Sequence, residues 1–336
     1  MRILIVTDAW LPQVNGVVRS LQAVTKELEA MGHEPRFVTP QQFISMPCPT
    51  YPEIRLALAP CRKLARLIKV FSPQAIHIAT EGPLGQAARR YALTRGLPFT
   101  TAFHTKFPEY VHARIRLPVD WSYAFMRRFH APAVRTMVAS ESVRRELEQR
   151  GFAHLARWGR GVDAALFRPQ GEVRLEGERP IWLYVGRVAV EKSVGDFLAL
   201  PLGGTKYVVG DGPALDGLRR RHPEARFVGA HYGEALARYY AGADAFVFPS
   251  RTDTFGNVLL EALASGLPVA AYPVAGPLDV IDGARVGALD WDLAKAARAA
   301  LDIPREACRD FALQRTWRAS AEQFLGNLAP FTGSTG

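Results

Sequence analysis

A chain of 336 residues with 48% hydrophobic content is long enough for two globular domains of roughly 150 residues, and it lacks the ~18-residue apolar run of a membrane span. Three cysteines, Cys48, Cys61 and Cys308, have neither an even count nor ligand-like spacing, which points away from a disulfide framework and toward free thiols in a cytosolic protein. The net charge of +10 lies in the first half: through Ala165 there are 23 Lys plus Arg against 12 Asp plus Glu, and beyond it 19 against 20, so the first half is suited to an anionic surface, either nucleic acid or acidic membrane.

The opening MRILIVTD turns polar after six residues, too soon for a signal peptide, and Ile3–Val6 reads as a strand. A loop from Asp8 to Gly16 contains Asn15-Gly16. Helix Val17–Met31 follows, with Leu21, Val24, Leu28 and Met31 on one face, and Gly32 ends it. Arg36–Thr39 is the second strand. The first turn lacks GxGxxG, which argues against a nicotinamide oxidoreductase. Strands Ile54–Leu58, Ala75–Ile78, Phe99–Phe103 and Met137–Ala139 then alternate with helices Cys61–Phe71, Leu84–Arg95 and Ser142–Arg150. That alternation predicts a parallel, doubly wound sheet.

Two loops leave the carboxyl ends of those strands, the edge where such sheets bind ligands. One is Thr80-Glu81-Gly82-Pro83, in which Glu81 reads either as a ligand for an acceptor hydroxyl or as a helix cap. The other is Phe103-His104-Thr105. The stretch Phe103–His130 interleaves Lys106, Arg114, Arg116, Arg127 and Arg128 with Phe107, Tyr110, Trp121, Tyr123, Phe125 and Phe129. Such a mixture suits a membrane interface, stacking on single-stranded nucleic acid, or a core helix with snorkelling arginines.

Arg160-Gly161-Val162-Asp163 and Phe167-Arg168-Pro169 mark the join between halves, with polar Gln170–Arg179 as the expected linker. Strand Ile181–Val185 then runs into Gly186-Arg187, with Glu191-Lys192 close behind. Arg187 can grip a phosphate bidentately and Lys192 supplies a point charge. Fixed cations of this kind stabilise a departing diphosphate without a metal. Strand Tyr207–Val209 leads into Gly210-Asp211-Gly212-Pro213, and strand Phe227–Gly229 and helix Glu234–Ala241 repeat the alternation.

Next comes Ala243–Tyr272, a strand–loop–helix–strand unit. Ala245–Phe248 is the strand, and Val258–Ala264 is a helix stopped by Gly266 with Pro268 beyond. Asp253 lies in the loop and Glu261 in the helix, with seven residues between them. Phe255-Gly256-Asn257 opens the helix, where backbone N–H groups and the dipole favour an anion. Donors for a diphosphate beside carboxylates for sugar hydroxyls suit a nucleotide sugar. The plainer alternative is a buried helix with an aspartate cap. Asp290-Trp291-Asp292 has the DxD form of a metal site, yet its place at a strand–helix turn reads as coincidence. The tail, Arg305–Leu328, reads as helical.

The Asp253–Glu261 unit resembles the carboxylate–seven–carboxylate motif of retaining glycosyltransferases of family 4, which have the GT-B fold. Arg187 and Lys192 match that family's cation pair. The resemblance covers nearly the whole chain and implies two Rossmann-like α/β domains facing a central cleft. It implies an acceptor-binding domain at 1–168, a nucleotide-sugar domain at 169–315, and a C-terminal helix at 316–336 crossing back, with Trp317 at the junction. By the family's pattern, Gly16 admits the donor phosphate, His104 contacts the donor sugar and leaving phosphate, and Glu261 holds ribose hydroxyls. Asp253 stands near the donor sugar in place of the usual Glu, one methylene shorter. The loops around Gly210-Asp211-Gly212 resemble those holding the base.

The opening and Thr252-Asp253-Thr254 resemble members that make glycosyl or sulfoquinovosyl diacylglycerols or mannosylated lipids. The implied reaction moves a hexose or hexuronic acid from a UDP- or GDP-sugar to a membrane lipid, with retention and no metal or other cofactor. Glu81, Lys106, Arg127 and Arg128 are the acceptor or membrane candidates. The expected partners are the donor and an acidic membrane, not nucleic acid, and the expected place is the cytoplasmic face. The competing readings are a soluble or polysaccharide acceptor, a nucleotide-sugar 2-epimerase, and a basic nucleic-acid-binding module.

Overall fold

The computed structural model describes residues 1–11, 16–48, 51–104, 118–171, 173–251, 255–281 and 283–331. The chain forms two units, Met1–Gly159 with Trp317–Gly336, and Arg160–Thr316.

The first unit runs β1 (Arg2–Val6), α1 (Gly16–Ala30), β2 (Glu34–Val38), β3 (Ser45–Cys48), β4 (Tyr51–Ala57), α2 (Cys61–Phe71), β5 (Ala75–Ile78), α3 (Pro83–Thr94), β6 (Thr100–Phe103), α4 (Val119–His130), β7 (Arg135–Val138), α5 (Glu141–Gln149) and β8 (Leu155–Arg157). Six strands form a parallel sheet in the order β2-β1-β5-β6-β7-β8. The central strands are buried along their length, as a sheet covered on both faces requires. Alternation along each strand sorts the core into two layers. Ile3, Ile5 and Ala102 pack with Leu21, Val24 and Leu28 of α1. Leu4, Val6 and Ile78 pack with Leu64 and Ile68 of α2 and Leu84 and Ala88 of α3. The strand expected at Ile54–Leu58 lies outside this sheet, because β4 pairs antiparallel with β3 as a separate ribbon.

The second unit runs β9 (Ile181–Val185), α6 (Val194–Leu198), β10 (Thr205–Val209), α7 (Leu215–Arg221), β11 (Arg226–Gly229), α8 (Gly233–Gly242), β12 (Ala245–Phe248), α9 (Asn257–Ala264), β13 (Val269–Ala271), α10 (Ala275–Ile281), β14 (Gly287–Leu289), α11 (Leu293–Ala300) and α12 (Arg305–Leu313). Its parallel sheet has the order β11-β10-β9-β12-β13-β14. Helix α9 ends as its sequence predicts: Leu267 N donates to Ala262 O and Gly266 N to Leu263 O, each at 2.9 Å, the double bond of a Schellman turn.

Gln170–Arg179, expected as a linker, instead belongs to the second unit. Its polar backbone is used: Tyr207 Oη donates to Glu176 O and Thr205 Oγ1 to Glu178 O, each at 2.9 Å, and Arg179 pairs with Asp244. The tail is two helices rather than one. The break falls where Val162 N donates to Arg315 O at 3.0 Å and Val162 bridges Thr316 as a short parallel pair. The last helix, α13 (Trp317–Asn327), packs against α1 in the first unit, and Trp317 borders the Trp158–Phe324 cluster there.

Candidate active site

In the second unit the chain builds outward from β9 in one direction and from β12 in the other. The carboxyl edge between these adjacent strands is the switch point where such sheets take ligands. Arg187 follows β9 by two residues, and Lys192 closes the short 3-10 turn Val190–Lys192. The backbone here is pinned. Tyr184 Oη donates to Arg187 O at 2.8 Å, and Val188 N donates to Asp211 O at 2.9 Å, fastening the Gly210-Asp211-Gly212 turn alongside.

The loop after β12 supplies the other half. Gly256 is the N-cap of α9, in left-handed backbone at φ +82°, so no side chain occupies the cap position. A helix N-terminus left so at a sheet's carboxyl edge suits a phosphate. Asn257 is the first residue of α9, and the Phe255 ring packs against the unit's core. Glu261, one turn on, is buried and accepts a hydrogen bond from Tyr240 Oη at 2.9 Å. Asp253 lies outside the described residues.

Sequence reading missed the tie between the loop after β12 and helix α6. Arg251 Nη2 lies 3.1 Å from Asp196 Oδ2, Tyr272 Oη donates to the same oxygen at 3.1 Å, and the guanidinium stacks 4.1 Å above the Tyr272 ring. The Asp196 carboxylate raises the Arg251 pKa further above its ordinary value. Asp290-Trp291-Asp292 is a helix cap: Asp292 accepts from Ala294 N and Lys295 N at 3.0 and 3.1 Å, and Asp290 pairs with Lys295.

In the first unit, adjacent strands β1, β5 and β6 carry Gly16, Glu81 and His104 along one carboxyl edge. Gly16 opens α1. The cap of α3 is Asp8 rather than Glu81: its carboxylate accepts from Leu84 N at 2.9 Å, Gly85 N at 3.2 Å and Thr80 Oγ1 at 2.9 Å. Burial outweighs those bonds and raises the Asp8 pKa. Glu81 instead accepts from His130 Nε2 at 3.1 Å. His104 sits edge-on to Trp158 at 5.5 Å between ring centroids, and Trp158 Nε1 donates to Ser320 Oγ of α13 at 3.1 Å. Asp8, a polar residue leaving a buried strand, was legible as a loop start; nothing in the spacing marked His130 or Trp158.

The basic–aromatic stretch is split by the structure. Lys106 lies outside the described residues. Arg127 Nη1 donates to Arg150 O at 2.9 Å and so caps α5. Trp121 and Phe125 are 71% and 56% exposed, and with exposed Arg128 they share one face of α4 at i, i+4, i+7 spacing. Among the described residues, no helix is long and apolar enough to cross a membrane.

Comparison with known proteins fits this arrangement. The family model Glycosyltransferase Family 4 matches residues 14–166, and the model Glycosyl transferases group 1 matches residues 179–303. A GDP-mannose-dependent alpha-mannosyltransferase of Mycobacterium tuberculosis is 31% identical, with 99% of this chain and 97% of the relative covered. An alpha-monoglucosyldiacylglycerol synthase of Streptococcus pneumoniae is 27% identical over 96% of this chain and 83% of its own. A solved sucrose-phosphate synthase from Thermosynechococcus elongatus superposes with a TM-score of 0.79 at 20% identity, covering 97% of each chain. The two Rossmann-like domains are those of the GT-B fold. The chain belongs to glycosyltransferase family 4 and is a hexosyltransferase that uses a nucleotide sugar.

Proposed function

We propose that the protein transfers mannose from GDP-mannose to a membrane lipid, with retention of configuration and without a metal, at the cytoplasmic face of an acidic membrane. The observation that supports the donor half is that the Arg187–Lys192 loop and the Gly256-capped start of α9 follow the adjacent strands β9 and β12, with Glu261 of α9 held by Tyr240. Arg187, Lys192 and the helix N-terminus receive the diphosphate, and Glu261 receives the ribose hydroxyls. Asp253 and His104 act on the sugar. As the C1–O bond to the diphosphate breaks, the leaving oxygen takes the acceptor's proton, and the new C1–O bond forms on the same face. The cations meet charge that grows in the transition state, where such contacts matter most. The mannosyl relative supports the donor, and the diacylglycerol-named relative together with the exposed Trp121–Phe125–Arg128 face supports a lipid acceptor.

The test is transfer of radiolabel from GDP-mannose, UDP-glucose and UDP-galactose into lipid extract, with chelator present throughout. Labelled lipid from GDP-mannose is the expected result. Label only from a UDP-sugar overturns the donor, and label only in soluble sugars overturns the lipid acceptor.

A further inference from the structure

A chain of polar groups runs through the interior of the first unit and ends on Glu81. Thr100 and Thr101 are consecutive in β6, so their side chains face opposite layers. Thr100 Oγ1 lies 2.9 Å from His77 Nδ1, on the layer where His77 packs against Trp158 and Phe324. Thr101 Oγ1 faces the other layer, 3.0 Å from Thr136 Oγ1 and 2.8 Å from His130 Nδ1. His130, 3% exposed at the end of α4, spends its second nitrogen on Glu81. Because the carboxylate can only accept, Nε2 carries a proton. In neutral imidazole Nδ1 then accepts from Thr101, and Thr101 accepts from Thr136.

The far end is not buried. The Glu81 side chain is 23% exposed, and it stands after β5, one of the two strands flanking the first unit's own switch point. Its backbone is held as firmly as its side chain. A Cβ on Gly82 would come within 2.5 Å of the Asp8 carboxyl carbon, and Asp8 also grips Leu84 N and Gly85 N. Helix α3 already has its cap in Asp8, so Glu81 is not needed for that. What remains is a part-exposed carboxylate at a ligand-binding edge, fixed by two independent anchors. That is the construction expected of a binding group on a rigid frame.

We propose that His130, backed by Thr101 and Thr136, is a positioning residue that holds Glu81 to accept a hydrogen bond from the hydroxyl of the sugar acceptor. The proposal rests on the glycosyltransferase reading above and concerns its acceptor side alone. His130 touches no substrate; it orients the group that does.

The experiment separates acceptor use from donor use. GDP-mannose affinity is measured by calorimetry without acceptor, and transfer is measured to dioleoylglycerol in acidic vesicles and, in parallel, to octyl mannoside. Glu81→Gln raises the acceptor KM about 10- to 100-fold, the range for a hydrogen bond that loses its charged acceptor, while GDP-mannose affinity stays near that of the wild type. His130→Phe does the same without touching the acceptor. His130→Gln, which keeps an N–H donor, recovers part of the loss. The double variant Glu81→Gln/His130→Phe is no worse than the worse single one, as coupled residues require. An unchanged acceptor KM in His130→Phe, or GDP-mannose affinity falling in step with transfer, overturns the proposal. Should His130→Phe melt below the assay temperature, Glu81→Gln and His130→Gln decide: an unchanged acceptor KM in both overturns it. A wild type that ignores the vesicles and uses octyl mannoside overturns the lipid reading only, because the comparison is then made on octyl mannoside.

Discussion

Tyr240 Oη donates to Glu261 Oε2 at 2.9 Å, and both residues are buried in the second unit. Glu261 therefore keeps its place without a substrate, and removing each partner has a separate signature. On the proposed ribose-binding role, Glu261→Ala weakens GDP binding by roughly 1.5–3 kcal/mol, the range for a hydrogen bond that loses its charged acceptor. Tyr240→Phe leaves the carboxylate present but less tightly held, and GDP affinity falls by about 1 kcal/mol or less. Titration calorimetry with GDP checks the order of the two effects; a larger loss in Tyr240→Phe contradicts it.

On the proposed diphosphate-binding roles, Arg187→Ala and Lys192→Ala each lower turnover by roughly 100-fold or more, the size of effect for groups that meet charge developing in the transition state. Chelator leaves the wild-type rate unchanged. Steady-state rates with and without EDTA decide, and a rate that collapses in EDTA removes the metal-free mechanism.

On the proposed sugar-side role, Asp253→Ala impairs transfer and leaves GDP affinity near that of the wild type. Comparable loss of GDP binding in Asp253→Ala and Glu261→Ala, seen by calorimetry, contradicts this division of roles.

The exposed face of α4 gives a docking prediction in which two neighbouring arginines differ. Arg128→Glu weakens sedimentation with acidic vesicles by roughly tenfold or more, at about 1 kcal/mol per basic side chain plus the reversal of sign. Trp121→Ala with Phe125→Ala weakens it further by removing interfacial burial. Arg127→Glu costs folding stability as well, because its guanidinium caps Arg150 O. Equal binding to neutral and acidic vesicles counts against docking on charge.

Burial pushes the Cys308 thiol from 9.0 up to about 12. Between those values the unfolded chain loses this proton and the folded one keeps it. The unfolded state thus binds fewer protons, and stability falls as pH rises through that window. Urea midpoints near neutrality and in mild alkali should diverge in the wild type and diverge less in Cys308→Ala. In the native protein a thiol reagent modifies exposed Cys61 and spares buried Cys308.

The parts of the fold legible in the sequence were those written in local pattern. Strands Ala75–Ile78, Ile181–Val185 and Ala245–Phe248 and helix Cys61–Phe71 match their expected bounds, because apolar period and stop residues decide them. The ribbon β3–β4 was missed because its pairing is antiparallel and separate, which strand propensity does not encode. The loops after β9 and β12 were legible as loops at a strand's end. Their supports were not: Tyr240 serves Glu261 from another helix, and Asp8 caps a helix that begins 75 residues later in the chain. Such partners are set by tertiary packing, and Glu81 showed the cost, since the cap and the carboxylate of its loop proved to be different residues.

Helix α13 belongs to the first unit although 157 residues of the second, Arg160–Thr316, separate it from β8 and Trp158. Phe324 packs on Trp158 at 5.0 Å between centroids, and Ser320 holds the indole that braces His104. On the ribosome, domains generally fold as they emerge, the N-terminal one first. Here the second unit can finish while the first still lacks one wall of its core, and an apolar face around Ile3, Leu21 and Trp158 waits in the open. The half made first is the half completed last, so a chain that stalls near Thr316 holds a finished second unit joined to a first unit whose core still lacks Phe324 and Ala321.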